Sequence, residues 1–255
     1  MDILEFISQV EQIIQQQTRR LFPADWDEDT LTRNILIEFR LNFASTTIND
    51  HRQQYNLSIN PFKLRGRNTE TKYGDIAILV KIIFPDGDIL EGVGFLEAKK
   101  RYRNTNRFDA FSVRQLNRIY RQSPHTRLLL YDYSPITEFA PVYYDYDNYY
   151  HRHFPLLALP TTYSVATQLN EALALNRRDI GLYKVGLPLS YQLAFRYFYG
   201  FDLDFREDVI NAIKGYAKDT LGLPNYTVFV TISPIDKPTN EGEPEINSNT
   251  YERLK

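Results

Sequence analysis

Three charged residues, Asp75, Glu97 and Lys99, stand at the ends of two apolar segments of this 255-residue chain. Residues 75–84 and 89–97 are rich in Ile, Val and Leu, and a Pro-Asp-Gly turn signal separates them. This pattern predicts an antiparallel hairpin. In such a hairpin the first residue of one strand lies beside the last residue of the other, so Asp75 and Glu97 should meet. Lys99 is two residues beyond Glu97 and should share its face.

Two carboxylates and an ammonium group at one sheet edge could hydrolyse a phosphodiester. Carboxylate oxygens suit a hard cation such as Mg²⁺, which keeps several of its waters, and an adjacent ammonium group can orient or activate one of them. Mn²⁺ is expected to substitute. Either half of the pattern alone is more often structural, but the pair across one hairpin, followed by a helix, favours this chemistry.

The pattern of Asp75 followed by Glu97, Ala98 and Lys99 resembles the PD-(D/E)xK nuclease superfamily, over roughly residues 31–133. The resemblance implies a restriction endonuclease-like core and a metal-dependent endonuclease. It implies that Asp75 and Glu97, helped by the Ala98 carbonyl, bind one or two Mg²⁺ ions. Lys99 would position or activate the attacking water and stabilise the charge that develops on the phosphorane.

Two further residues match this family by position. An acid from the helix before the hairpin commonly joins the metal site, and Glu38 is the residue that matches it; a solvent-facing position is the alternative. A Gln from the helix after the lysine is also typical, and Gln115 matches it, although an exposed helix position would explain it equally well. Tyr120 lies one residue too far for the Gln-x-x-x-Tyr motif of RecB-type members, so the subgroup stays open.

The segment from Lys99 to Arg121 is strongly basic, although the whole chain has a net charge of −2. Asp109 is its single acid. Cations beside the predicted site can neutralise backbone phosphates, so the segment favours nucleic-acid binding over an ordinary solvated face. Beyond Lys99 its basic residues are Lys100, Arg101, Arg103, Arg107, Arg114, Arg118 and Arg121.

Composition favours one sizeable core, since the chain has 255 residues of which 43% are hydrophobic. The absence of Cys excludes a disulfide framework and a thiolate zinc site. The first twenty residues read as an amphipathic helix rather than a signal peptide, and no segment has the length of a membrane span. We therefore expect a cytoplasmic protein with no membrane partner.

The order of predicted elements is α, β, β, β, α, β, which indicates an α/β protein with a central mixed sheet flanked by helices. We expect a single nuclease-like domain over residues 1–232. Its core would span about residues 30–133, followed by a helical and β C-terminal extension over 134–232. The polar residues 233–255 have the composition of a flexible tail.

Three functions follow from these patterns. The favoured one is a DNA endonuclease in restriction or antiviral defence, acting as a homodimer or within a larger complex, with DNA favoured over RNA by family analogy. The second is a non-catalytic nucleic-acid-binding or assembly subunit with the same fold. The third is a protein-interaction module that docks a partner through the tyrosine-rich residues 143–150.

Overall fold

A computed structural model of the chain describes residues 1–49, 54–66, 71–108, 112–140, 161–217, 221–237 and 246–255. The tyrosine-rich residues 143–150 lie outside these ranges, and so does the interaction module predicted from them.

Six α-helical segments occur in the described residues. They are α1 (Ile3–Leu21), α2 (Glu28–Phe43), α3 (Val113–Gln122), α4 (Leu169–Leu175), α5 (Leu189–Tyr191) and α6 (Glu207–Ile213). A 3₁₀ helix spans Ile180–Val185, and α5 continues as a π-helical turn over Gln192–Arg196 and a 3₁₀ turn over Tyr197–Tyr199.

Nine strands form one sheet in the described part of the chain. They are β1 (Thr46–Asn49), β2 (Gln54–Leu64), β3 (Ile76–Ile83), β4 (Ile89–Lys100), β5 (Arg127–Ile136), β6 (Thr162–Gln168), β7 (Gly186–Pro188), β8 (Tyr226–Pro234) and β9 (Tyr251–Arg253).

The sheet is mixed and mostly antiparallel, and helices flank it. Its order is β1-β2-β8-β3-β4-β5-β6-β7, and β9 pairs with the end of β2. Only the β3–β8 and β4–β5 pairs are parallel among the described strands. The predicted mixed α/β architecture is therefore confirmed at this level. The predicted order α, β, β, β, α, β is found with one additional strand, β1, between α2 and β2.

Alternating side chains of the central strands reach both faces of the sheet, which is why these strands are almost wholly apolar. On one face, Ile76, Ile78 and Val80 of β3 join a large core that includes the apolar sides of α1 and α2. On the other, Ala77 and Leu79 pack with α6. The adjoining part of that second face is covered by α3 and α4.

The division into a core over 30–133 and an extension over 134–232 does not match the sheet. Strand β8, near the end of the chain, lies between β2 and β3 and pairs with both. Five of its nine residues are apolar or aromatic and buried, and they lie on both faces of the sheet, so hydrophobic burial places the strand centrally. The C-terminal part of the chain thus completes the middle of the sheet.

The expectation of a flexible tail over 233–255 is wrong for its last ten residues. Strand β9 forms an antiparallel pair with β2, and Tyr251 and Leu254 are buried. The polar average composition of this segment gave no sign of these two buried residues. Burying an aromatic ring and a leucine holds the segment against the sheet, since each side chain contributes on the order of 2 kcal/mol.

Candidate active site

The β3–β4 hairpin brings the two predicted carboxylates together. Ile76 pairs with Leu96, so Asp75 and Glu97 lie opposite each other one residue further along. The Asp75 N–H donates to the Leu96 carbonyl at 2.8 Å, and the Ala98 N–H donates to Asp75 Oδ2 at 2.9 Å. The acid at the start of β3 is therefore fixed by the backbone of β4.

Gly74 allows this close approach. Its φ is +109°, a conformation that side chains with a Cβ rarely adopt, and a Cβ at this position would lie 2.7 Å from the Leu96 carbonyl oxygen. A larger residue would push the Asp75 backbone away from β4.

Lys99 and Gln115 both contact Glu97 through the same oxygen. Lys99 Nζ lies 2.7 Å from Glu97 Oε1, and Gln115 Nε2 donates to Oε1 at 2.9 Å. Glu97 and Lys99 alternate with the core residues Leu96 and Ala98, so they face the side of the sheet that α3 covers. The Ser112 side chain accepts from the Gln115 N–H and caps α3 at this point.

Glu97 has 0% exposure, and its second oxygen, Oε2, accepts no hydrogen bond from the described residues. A buried carboxylate oxygen without a donor is costly. Burial, and then the charge of Glu97, raise the pKa of Asp75 to about 7. Two adjacent carboxyl groups thus share one direct cation, Lys99.

The charge on Lys99 is strongly favoured by its surroundings. Burial alone would lower the pKa of its ammonium group, but the negative charges of Glu97, Glu28 and Asp75 outweigh burial and hold the pKa above its usual range. Lys99 is therefore an ammonium ion at neutral pH in this arrangement.

The structure does not bring Glu38 to this cluster. Its side chain accepts from Gln17 of α1 at 3.5 Å. The acid of α2 that reaches the site is Glu28, whose Oε2 lies 3.9 Å from Lys99 Nζ and whose Oε1 accepts from the Lys100 N–H at 3.3 Å. Ten residues separate the two acids, which is about 15 Å along a helix.

The sequence analysis did not predict Glu28 as a site residue, because acids in the first turn of a helix are ordinarily explained by their interaction with the helix dipole. Residues 27–29 are all acidic, and the Asp27 side chain does cap α2 by accepting from the Thr30 N–H. Trp26, the single tryptophan of the chain, was also missed. It is buried and donates from Nε1 to the Arg101 carbonyl at 2.9 Å, next to the end of β4.

Two of the predicted phosphate-binding residues are engaged inside the protein. Arg101 forms an ion pair with Asp132 at 3.0 Å and lies over the Tyr133 ring, 5.0 Å from its centroid. Lys100 Nζ donates to the Trp26 carbonyl at 2.7 Å. For these two residues the structure indicates a role in anchoring the loop after β4.

The other predicted phosphate-binding residues are exposed. Arg103 lies over the ring of Phe22, 5.6 Å from its centroid. The guanidinium group of Arg118 donates to the Thr71 carbonyl at 3.2 Å, which ties α3 to the segment before Asp75. The remaining exposed residues of this set are Arg107, Arg114 and Arg121.

The donor set fits a hard divalent cation. Glu97 Oε2 has no donor among the described residues, Asp75 is adjacent, and both side chains supply oxygen. The Ala98 N–H points toward β3, where it donates to Asp75. In a strand, the carbonyl of a residue points to the same side as its N–H, so the Ala98 carbonyl also points toward β3. No cluster of three acidic, His or Cys side chains suited to a metal occurs in the described ranges. Two carboxylates suffice for Mg²⁺, because it retains several waters.

Comparison of the chain with protein-family models, with curated proteins and with solved structures gave no match. Among the described residues, no helix has both the length and the apolar character that crossing a membrane requires.

Proposed function

We propose that the protein is a metal-dependent nuclease of the PD-(D/E)xK type that hydrolyses phosphodiester bonds. The observation that carries this proposal is the Asp75–Glu97 pair at the end of the hairpin. Lys99 and Gln115 contact one Glu97 oxygen, and the described residues supply no donor to the other. A structural ion pair would need only Glu97 and Lys99. The second buried carboxyl group, and a Glu97 oxygen that has no donor among the described residues, are costly unless a cation binds or Asp75 keeps its proton.

Each residue has a distinct role in the proposed reaction. Asp75 and Glu97, with the Ala98 carbonyl, would hold Mg²⁺, which polarises the phosphate and lowers the pKa of a bound water. The Lys99 ammonium group would donate to a phosphate oxygen and stabilise the charge that develops during attack. Gln115 keeps Glu97 in position by donating to Oε1. Glu28 would orient Lys99 from the side of α2.

The proposed substrate is DNA, and the proposed biological role is restriction or antiviral defence in the cytoplasm. Both rest on the resemblance of residues 31–133 to restriction-type nucleases. A homodimer or a larger complex would allow cleavage of both strands of a duplex.

The test is cleavage of plasmid DNA, single-stranded DNA and RNA with Mg²⁺, with Mn²⁺ and with EDTA, by the wild type and by Glu97→Gln. The substitution keeps the shape of the side chain and removes the metal ligand. Asp88→Asn is the matched control, because Asp88 is an exposed acid in the turn of the same hairpin. Metal-dependent cleavage by the wild type and the control, but not by Glu97→Gln, supports the proposal.

Absence of cleavage by the wild type with every substrate and metal would contradict the proposal. If nucleic-acid binding were retained in that case, the non-catalytic binding subunit would become the better description.

A further inference from the structure

A basic cleft of about 760 Å³ opens beside strands β2 and β9. It contains one acid, Glu252, on its lining. Its cationic lining residues come from α2, from the end of β2 and from the last residues of the chain. They are Arg33, Lys63, Arg65, Arg253 and Lys255.

In the described part of the chain, the cations of this cleft are not paired with acids. Within the described residues, none of its five cations forms an ion pair. Lys63 lies 5.9 Å from the centroid of the Tyr226 ring, and Arg65 donates to two backbone carbonyls near β9 at 3.0 and 3.3 Å. Arg253 donates to the Asn60 side chain. Neutral partners thus hold these side chains while their charges remain available to an anion.

The cleft lies at the same end of the sheet as Asp75 and Glu97. Lys63 pairs with Tyr226 of β8, and Tyr226 pairs with Ile76 of β3, the residue after Asp75. Two strand spacings, about 10 Å, separate the backbones of β2 and β3. Lys63 shares the α2 face of the sheet with Tyr226, whereas Glu97 and Lys99 face α3, so a ligand that contacts both passes around the end of the sheet. The Tyr226 hydroxyl also donates to Asp29 in the first turn of α2 at 2.7 Å, so the same helix turn borders both regions.

We propose that this cleft binds the sugar-phosphate backbone of a nucleic acid that runs from the Asp75–Glu97 site across the sheet end toward β9. The inference deepens the proposed nuclease function and rests on it for the position of the scissile bond. One strand carries a charge about every 3.4 Å of helix axis, so a path of at least about 10 Å around the sheet end places the contacts at least about three nucleotides from that bond. Five cations against one acid match a polyanion.

The experiment measures binding separately from cleavage. All proteins carry Glu97→Gln and are assayed in EDTA by fluorescence anisotropy, with fluorescein-labelled 20-mers of duplex DNA, single-stranded DNA and RNA. The cleft variant is Arg33→Gln with Lys63→Gln. The control is Lys81→Gln with Lys237→Gln, which removes the same charge, and Lys81 lies five residues along β3 from Ile76.

The cleft variant should bind at least about tenfold more weakly than the control at low salt. Its plot of log affinity against log salt should be shallower by about two, since each lost phosphate contact removes about one from the slope. The labelled polymer that shows this difference identifies the natural ligand class. If the cleft variant unfolds, Arg33→Gln with Lys255→Gln replaces it, because both of these side chains are exposed.

A folded cleft variant with the affinity and salt slope of the control would overturn the inference, whatever the cleavage assay shows. Loss of binding in the cleft variant, together with a wild type that never cleaves, would support the cleft and contradict the nuclease. Cleavage by the wild type, together with unchanged binding by the cleft variant, would support the nuclease and contradict the cleft.

Discussion

Glu97 is a proposed metal ligand, and as a buried carboxylate it also affects the stability of the site. Its Oε1 accepts from Lys99 and Gln115, while Oε2 is buried without a donor among the described residues. Asp75 is next to it, with a pKa raised to about 7 by burial and by Glu97. At the residue scale the site is therefore short of positive charge, which a divalent cation would supply.

Asp75→Asn tests this charge imbalance. The amide can still accept from the Ala98 N–H, and the repulsion from Glu97 disappears, so the variant should melt at or above the wild-type Tm in EDTA. The Tm increase caused by Mg²⁺ should vanish. For the wild type, Mg²⁺ at about ten times its Kd should stabilise by about 1.4 kcal/mol, or about 3 °C.

Differential scanning fluorimetry with and without Mg²⁺ measures both effects, and Asp88→Asn is the control that should keep the metal response. A Tm for Asp75→Asn well below the wild type in EDTA would show that the carboxylate is structural.

Glu28 and Glu38 form a matched pair on one helix. Glu28→Gln removes the α2 charge beside Lys99 and should lower kcat by about 10-fold to 100-fold, the range typical of residues that orient a metal site from outside. Glu38→Gln changes a side chain that accepts from Gln17 and should leave kcat within about twofold. Steady-state cleavage by the two variants decides between them, and a larger defect in Glu38→Gln would refute this assignment.

At the scale of elements, α1 is fastened to the sheet by a buried acid. Glu11 accepts from the Thr162 hydroxyl of β6 at 2.8 Å and from the Ser190 hydroxyl of α5. Burial outweighs these hydrogen bonds and raises the pKa of Glu11 to about 7. Burial of Glu11 between the helix and the sheet thus favours its protonated carboxyl group.

This shift predicts how stability depends on pH. The folded pKa of Glu11 is above its unfolded value of 4.5, so its contribution is fully present below about pH 4.5 and is lost as the pH rises to about 7. Relative to Glu11→Gln, which stays neutral, the wild type should lose up to about 3 kcal/mol of unfolding free energy between those pH values.

Urea unfolding of both proteins at pH 5, 6, 7 and 8 measures the difference. The fluorescence of Trp26 is a convenient signal, because it is the single tryptophan and is buried. A constant difference between the two proteins over this range would show that Glu11 does not titrate there.

In the whole molecule, the C-terminal part of the chain completes the sheet. Strand β8 lies between β2 and β3, and β9 covers the end of β2. The Asp75 carbonyl accepts from the Tyr226 N–H at 3.1 Å, so β8 also supports the backbone of the candidate active site. The site therefore depends on residues far outside the motif-bearing segment.

A chain that ends at residue 140 should not fold cooperatively, although it contains every predicted catalytic residue. Without β8, strands β2 and β3 lose a partner on one edge and leave apolar side chains and backbone groups exposed. Circular dichroism with urea titration should show no cooperative transition for this fragment. A sharp transition like that of the full chain would show that residues 1–140 form a domain by themselves.

Phe229→Ala gives a quantitative version of this prediction. Phe229 is in the middle of β8 and is fully buried against Phe62 and neighbouring core residues. Truncating it should lower the free energy of unfolding by about 3–5 kcal/mol. Phe84→Ala, at the exposed turn of the hairpin, is the control and should cost less than about 1 kcal/mol.

The hairpin, its turn and the meeting of Asp75 with Glu97 and Lys99 could be predicted from the amino-acid sequence, because strand alternation and a tight turn are local properties. Gln115, matched by its position in the helix that follows, does contact Glu97. Local patterns could not predict the contacts between distant elements. The fold brings Glu28, and not Glu38, close to Lys99, and it engages Arg101 and Lys100 in internal contacts. It also inserts β8 between β2 and β3 and gathers the basic cleft from segments as far apart as Arg33 and Lys255. Each of these features depends on which helices and strands pack together. That packing is determined by the apolar surface buried over the whole chain.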